Sequence, residues 1–123
     1  MPEKPEVDAP DGPPPTELEI TDLTVGDGAE AGPGSQVSVH YVGVAHSTGE
    51  EFDASWNRGA PLAFTVGVGQ VIQGWDQGLL GMKEGGRRKI TIPPHLGYGD
   101  RGAGGVIKGG ETLIFVVDLV DVN

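Results

Sequence analysis

The chain contains no cysteine among its 123 residues. This absence excludes disulfides, thiol catalysis and zinc sites that use cysteine ligands. The sequence also has no apolar run near the roughly 20 residues that a membrane-spanning helix needs. Its N-terminus does not show the basic and then apolar segments of a secretory signal peptide. From these absences we predict a cytoplasmic protein that has no membrane partner.

Basic residues are scarce, since eight Lys and Arg stand against eighteen Asp and Glu, for a formal net charge of −10. The acidic excess is concentrated in residues 1–30, which hold nine acids and one base. The remaining 93 residues hold nine acids and seven bases and are almost balanced. A body of this kind offers no basic surface to a phosphate backbone, so we predict no nucleic-acid partner.

Proline is concentrated near the N-terminus, where residues 1–16 contain six of the ten prolines and almost no apolar side chain. Such a segment cannot bury enough surface to offset the entropy lost on ordering. We therefore predict two parts, a disordered acidic tail over 1–16 and one folded domain over 17–123. For the tail we favour a solubilising role over a role as a proline-rich ligand.

Short runs that alternate between apolar and polar residues are typical of β-strands. They predict strands at Leu18–Val25, Val37–Val44, Glu51–Ser55, Leu62–Val66, Arg87–Ile92 and Thr112–Val122. One short helix is predicted at about Gln73–Met82, with a glycine stop at Gly85-Gly86. The connections are mostly of hairpin size, which favours antiparallel pairing. The predicted fold class is α+β, with five or six antiparallel strands curved around one short helix.

Glycine interrupts the predicted helix at positions 74, 78 and 81. Each glycine costs roughly 1 kcal/mol relative to alanine in a helix interior. We expect this cost to be offset by a close approach of the helix to the sheet. Trp75, at the beginning of the helix, is predicted to form the floor of an apolar pocket.

Motifs for acid–base, covalent and metal chemistry are weak. Gly67-Val68-Gly69 lacks the third glycine of a dinucleotide fingerprint at the required spacing, and Ser55 has no Gly-x-Ser-x-Gly context. The three histidines, His40, His46 and His95, are scattered without metal-ligand spacing. We therefore predict neither a metal nor a cofactor.

The seven aromatic residues are the more informative feature. They are Tyr41, Phe52, Trp56, Phe64, Trp75, Tyr98 and Phe115. Spacing alone favours a plain hydrophobic core, although the two tyrosine hydroxyls would need hydrogen-bond partners there. Phe52 is followed directly by Asp53, and Arg58 comes five residues later, which places a candidate ion pair beside the aromatic residues.

Several motifs, in colinear order over about residues 17–123, resemble the FKBP immunophilins and in particular single-domain bacterial members. They are Val39 to Gly43, Phe52 to Ser55, Arg58, Phe64, Gly69 to Trp75, Gly85 to Ile92, Leu96 to Gly99 and Leu113 to Leu119. The resemblance implies a half-barrel sheet wrapped around one helix and peptidyl-prolyl cis-trans isomerase (rotamase) activity. It further implies action on X–Pro bonds in peptides and in unfolded or partly folded proteins, binding of tacrolimus- and rapamycin-type macrolides, and a monomer.

The resemblance also implies a set of site residues. The catalytic candidates are Phe52, Asp53, Trp75 and Tyr98, the substrate-binding candidates are Tyr41, Phe64, Val71, Ile72, Val106, Ile107 and Phe115, and Arg58 has a supporting role. Trp75 would form the floor, the three phenylalanines the walls, and Val71 with Ile72 a ridge. The Tyr98 hydroxyl and the Ile72 amide would donate to ligand carbonyls. Tyr41 and Arg58 would orient Asp53.

The glycine-rich loop departs from the family pattern. Ala103-Gly104 replaces a common histidine and proline, and Lys108-Gly109-Gly110 stands where prolines are frequent. We predict a more mobile pocket rim, with consequences for macrolide affinity and substrate preference more than for activity. Two other functions remain open at this point, a proline-recognising binding module with little isomerase activity and a general folding chaperone. Alanine at Trp75, Phe52 or Asp53 is expected to lower the isomerisation rate and to leave the fold largely intact.

Overall fold

The computed structural model describes residues 4–5, 7, 12–102 and 107–122. Within these ranges the chain forms six strands and one short α-helix. Their bounds are β1 Glu19–Thr24, β2 Gln36–Ala45, β3 Glu51–Ala54, β4 Leu62–Thr65, α1 Gln73–Gly78, β5 Arg87–Ile92 and β6 Leu113–Val122. The predicted α+β class, an antiparallel sheet with one short helix, is confirmed. None of the helical segments in these ranges is long and apolar enough to cross a membrane.

The strands form one antiparallel sheet in the order β1-β5-β6-β2-β3, and β4 also pairs with β2. Strand β2 therefore has three partners. β6 runs along one side of it, while β3 and β4 share the other side, β4 beside Gln36–Val39 and β3 beside Val42–Val44. The two short strands thus meet one half of β2 each, and the pocket described below takes residues from both.

Helix α1 packs against strand β5 on the inner face of the sheet. A Cβ atom on Gly74 would lie 2.6 Å from the Ile92 side chain, and one on Gly78 would lie 3.0 Å from Ile90. Side chains larger than hydrogen would therefore push the helix away from the sheet. This confirms the expected close approach for Gly74 and Gly78, but not for Gly81, where a Cβ atom would meet no atom within 4 Å.

The predicted end of the helix is wrong, because α1 stops at Gly78 and does not reach Met82. Gly81 has a left-handed backbone with φ of 81° and turns the chain back. The Arg88 guanidinium donates to the carbonyl oxygens of Gly78 (2.8 Å) and Leu80 (3.1 Å), and is itself held by Asp22 at 2.7 Å. A side chain from the sheet thus satisfies carbonyls that a further helical turn would have used.

Strand β1 occurs where the alternation predicted it, but its apolar side chains are not buried. Ile20 and Leu23 are 44% and 51% exposed, and Val25, just after the strand, is 71% exposed. The strand lies at an edge of the sheet and pairs with β5 alone. Alternation therefore located the strand without revealing its position at the edge.

Two described residues of the N-terminal tail, Lys4 and Val7, contact the folded domain. Val7 packs on a second apolar cluster around Val42 and Ile114. Lys4 contacts Glu51 at 2.9 Å, and its hydrogen bond is the main reason that the pKa of Glu51 is lowered. The disorder predicted for residues 1–16 stays a prediction, as does the division at residue 17.

Candidate functional site

An open, mainly apolar pocket of about 410 Å³ lies above the first turn of α1. Its lining residues are Tyr41, Phe52, Asp53, Leu62, Gln70, Val71, Ile72, Trp75, Tyr98 and Phe115. They come from β2, β3, β4, α1, β6 and two loops, so the tertiary fold assembles the pocket. Eight of the twelve site residues predicted from the sequence belong to this lining.

Trp75 forms the floor of the pocket and is 4% exposed. Its ring lies edge-on to Tyr41 and Phe115, with centroid distances of 5.0 and 5.2 Å. Edge-to-face contacts of this kind are favourable for aromatic rings beyond the area that they bury. Phe64, predicted as a wall, lies behind the indole with 5.6 Å between ring centroids and belongs to the core cluster. It therefore supports the floor.

The wall opposite the helix is built from Phe52 and Phe115, whose rings are nearly perpendicular at a centroid distance of 5.5 Å. Both rings lie over Gly43, which pairs with Asp53 on one side and Phe115 on the other. A Cβ atom at this position would lie 2.6 Å from the Phe52 ring and 2.7 Å from the Phe115 ring. Glycine is therefore required for this wall, a role that the sequence did not reveal.

One side of the pocket carries a polar group made of Tyr41, Asp53 and Arg58. The Tyr41 hydroxyl donates to Asp53 Oδ2 at 2.5 Å, and Arg58 donates to Asp53 Oδ1 and to the Tyr41 hydroxyl, both at 2.9 Å. The side chains of Asp53 and Arg58 are 45% and 50% exposed, so this ion pair adds little to stability. Its consequence is a fixed orientation of the Asp53 carboxylate, as the resemblance implied.

Tyr41 is also held from the outer face of the sheet. The buried Ser55 hydroxyl accepts the Tyr41 N–H at 2.7 Å and lies 2.9 Å from His40 Nδ1. The His40 ring stacks on Trp56 at a centroid distance of 4.3 Å. Ser55 and His40 thus have structural partners away from the pocket. In the ranges that the structure describes, no group of three or more His, Cys, Asp or Glu could hold a metal ion.

The segment before α1 brings Val71 and Ile72 to the pocket. It follows a tight loop in which the Asp76 carboxylate accepts the N–H groups of Gly67 (2.8 Å) and Gly69 (3.0 Å). A helix side chain thus fixes the loop that carries these two residues.

Two lining residues, Leu62 and Gln70, were missed at the level of sequence. Leu62 lies two residues before Phe64 on β4, so the alternation places both side chains on the same face of the strand. The position of Leu62 on the inner face could therefore have been predicted. Gln70 accepts the Thr65 N–H through its side-chain oxygen at 2.9 Å, and no sequence signal indicates this contact. Both residues lie at the rim on the β4 side.

The glycine-rich loop contributes Tyr98, which is 39% exposed, to the pocket lining. Ile107 is buried in the core cluster. Val106 lies outside the described residues, as do Ala103 and Gly104, so the predicted mobile rim stays a prediction.

Burial is the largest cause of a raised pKa in both tyrosines of the site. For Tyr41, the hydrogen bond to Asp53 raises the pKa further, and for Tyr98 the charge of Asp53 does so. Because the folded state favours the protonated tyrosines, each raised pKa contributes to the stability of the fold. This contribution is fully present below about pH 10, the pKa of an unfolded tyrosine, and is lost as the pH rises through the pKa of the folded state.

Asp53→Ala is therefore expected to lower the pKa of both tyrosines, because it removes the acceptor of Tyr41 and the charge near Tyr98. The chain has only two tyrosines, so phenolate absorbance of the whole folded protein reports on this site. Asp27→Asn, at an exposed position outside the pocket, should leave both pKa values unchanged. Equal titration of the wild type and Asp53→Ala would contradict the arrangement.

The sequence model of the family described as FKBP-type peptidyl-prolyl cis-trans isomerase matches residues 28–120. An FK506-binding protein from Streptomyces anulatus is 69% identical over 121 residues and is covered to 98%, as is this chain. A probable FK506-binding protein from Corynebacterium glutamicum is 52% identical over 118 residues, covering 96% of this chain and 98% of the relative.

A solved structure is similar as well. The crystal structure of AtFKBP13 superposes with a TM-score of 0.81 at 40% identity, covering 96% of this chain and 98% of that one. All pocket-lining residues lie between positions 41 and 115, inside the range that the family model matches.

Proposed function

Since the chain belongs to the family of FKBP-type peptidyl-prolyl cis-trans isomerases, we propose that its pocket receives a prolyl ring and accelerates rotation about the preceding peptide bond. The chain is therefore an enzyme, a rotamase. The observation that carries the mechanism is an open apolar pocket floored by a buried indole, with one fixed carboxylate at its edge.

The reaction breaks no covalent bond. Rotation about an X–Pro bond crosses a barrier of about 20 kcal/mol that comes from amide resonance. A rate increase of about 10⁴ to 10⁶ requires a reduction of only about 5–8 kcal/mol. No acid, base or metal is needed for a reduction of this size.

We propose that desolvation supplies part of this reduction. A planar amide is strongly dipolar, and its twisted form loses resonance and part of that polarity. An apolar lining therefore disfavours the planar ground state relative to the twisted state. The aromatic walls hold the ring of proline while the carbonyl before it turns, which is binding that favours the transition state.

Polar groups at the pocket would orient the substrate backbone. In the described part of the chain, neither the Tyr98 hydroxyl nor the Ile72 N–H has a hydrogen-bond partner. Both are therefore available as donors to carbonyl groups of a bound peptide. Asp53 keeps its orientation through Tyr41 and Arg58 and faces the polar part of the ligand.

The proposed substrates are X–Pro bonds in peptides and in unfolded or partly folded proteins. A macrolide of the tacrolimus and rapamycin class would occupy the same pocket, a proposal supported by the FK506-binding relatives. The monomeric state and the cytoplasmic location are also proposals.

A protease-coupled assay with an X–Pro peptide tests the function. We expect acceleration in proportion to enzyme concentration, inhibition by tacrolimus, and quenching of Trp75 fluorescence in a Trp56→Phe background. Peptide binding without acceleration would favour a binding module. A better refolding yield of a proline-free client, again without acceleration, would favour a chaperone.

A further inference from the structure

A long loop, residues 93–112, joins β5 to β6. Its ends are fixed by the pairing of Ile92 with Leu113. It contains one short 3₁₀ helix, Pro94–Leu96, and connections of this length are uncommon in compact domains and often functional. This one carries Tyr98 into the pocket and Ile107 into the core, so its position affects the pocket directly.

A buried carboxylate ties the end of this loop to another part of the chain. The Glu111 side chain is 5% exposed. Its Oε1 accepts the Ser47 hydroxyl at 2.6 Å, and its Oε2 accepts the Ser47 N–H at 3.2 Å. Beside this pair, the His46 N–H donates to the Thr112 carbonyl at 2.9 Å. Lys108 lies 4.0 Å from Glu111 and is 70% exposed, so it is a weak partner.

The contact at Glu111 extends to Tyr98 through a single backbone hydrogen bond. The Gly110 N–H, next to Glu111 in the chain, donates to the carbonyl of Gly99 at 2.9 Å. Gly99 follows Tyr98 directly. Tyr98 is also held on its own side of the loop, where the Gly99 N–H donates to the Pro94 carbonyl at 2.8 Å and the Gly102 N–H donates to the Tyr98 carbonyl at 3.2 Å. The bond from Gly110 adds a link from Tyr98 to the Glu111 side of the loop.

Ser47, the partner of Glu111, belongs to the hairpin that carries the opposite wall of the pocket. Ser47 lies in the turn between β2 and β3, and β3 carries Phe52 and Asp53. The Ser47–Glu111 contact therefore joins the loop that carries Tyr98 to the hairpin that carries the pocket wall.

We infer that Glu111 and Ser47 are positioning residues, which hold the Tyr98 hydroxyl at the pocket for the substrate. The inference rests on the proposed function for the role of Tyr98. A buried carboxylate is costly unless it is hydrogen-bonded, so loss of its partner, or of Glu111 itself, would release the loop. A released loop spends only part of its time in the competent position, so the Tyr98 hydroxyl is misplaced for the rest of the time. The apparent affinity then falls toward that of a protein without the hydroxyl.

Glu111→Ala is expected to raise KM about threefold to fivefold, which is no more than the effect of removing the Tyr98 hydroxyl itself. It should change kcat by less than about twofold, because the weakened contact binds the ground state and the transition state alike. Ser47→Ala keeps the backbone donor and should show a smaller rise in KM. Lys108→Gln is the matched control on the same loop and should leave KM unchanged.

A double-mutant cycle separates positioning from general stability. Tyr98→Phe is expected to lower kcat/KM about fivefold in the wild type and by less than about twofold in Glu111→Ala, because the hydroxyl is already misplaced there. Equal effects of Tyr98→Phe in both backgrounds, at a temperature where both proteins are folded, would overturn the inference. If Glu111→Ala does not fold, the same cycle is measured with Ser47→Ala in its place, and equal effects of Tyr98→Phe would again overturn the inference.

Amide hydrogen exchange tests the anchoring without any activity. In Ser47→Ala and Glu111→Ala, the Gly110 amide should exchange at least about tenfold faster, while the Gly85 amide, bonded to the Leu119 carbonyl, keeps its rate. Unchanged exchange at Gly110 would overturn the anchoring. A wild type that accelerates no X–Pro rotation, yet shows this exchange pattern, would instead refute the proposed function and leave the anchoring established.

Discussion

Trp75→Ala is expected to lower both the isomerisation rate and the stability of the protein. The variant loses the pocket floor, and kcat/KM should fall at least about 100-fold, which corresponds to about 2.7 kcal/mol of transition-state stabilisation. The sequence alone led us to expect a largely intact fold. The structure changes that expectation, because Trp75 is 4% exposed and contacts the rings of Tyr41, Phe64 and Phe115.

The stability loss should be about 3–5 kcal/mol, as for other buried large-to-alanine changes. Small domains are stable by only about 5–15 kcal/mol, so denaturant unfolding must accompany the activity assay. The rate is then compared at a temperature where the variant is folded. This separates loss of the floor from loss of the fold.

Trp56→Ala provides the matched control. It removes the same indole group from the outer face of the sheet, where Trp56 stacks on His40 and packs on the second apolar cluster. We expect kcat/KM to stay within about twofold of the wild type. An equal loss of activity in the two tryptophan variants would argue against Trp75 as the floor of the site.

Gly43→Ala is expected to damage the pocket by adding a single methyl group. The new Cβ would lie 2.6 Å from the Phe52 ring and 2.7 Å from the Phe115 ring, closer than real Cβ contacts. The partly exposed Phe52 ring must then move into the pocket. Overpacking of this kind costs about 1–3 kcal/mol in stability. We expect kcat/KM to fall about tenfold or more through a narrower pocket.

Gly32→Ala is the matched control for this substitution. A Cβ atom there meets no atom within 4 Å, and the backbone of Gly32 is not left-handed. Both the rate and the unfolding free energy should remain close to the wild type. A Gly43→Ala enzyme with wild-type activity would show that the Phe52–Phe115 wall tolerates displacement, against the mechanism proposed for the pocket.

The strands could be predicted from local patterns in the sequence, and the general nature of the site from the family resemblance of its motifs. Alternation located β5 at Arg87–Ile92, as observed, and β1 at about its observed bounds. The motif residues Phe52, Trp75 and Tyr98 lie at one pocket, as the resemblance implied. The strand predictions use residue type and spacing within a short stretch of chain, whereas the pocket residues were implied by the family resemblance.

Contacts between distant stretches were beyond prediction from the sequence. Where the helix ends at Gly78, a sheet residue, Arg88, donates to the carbonyl oxygens of Gly78 and Leu80. Phe64 lies behind the floor because of how β4 pairs with β2. No pattern within a short stretch of sequence predicts such contacts between distant residues.

By itself, then, the sequence determined an antiparallel sheet around one glycine-rich helix with an aromatic pocket at Trp75. Only the tertiary structure placed Gly43 under the Phe52 and Phe115 rings and brought Glu111 to Ser47, 64 residues away in the chain. The physical reason is that alternation and turn residues act through neighbouring backbone, whereas these contacts depend on strand register. Register is fixed by the packing of the whole domain.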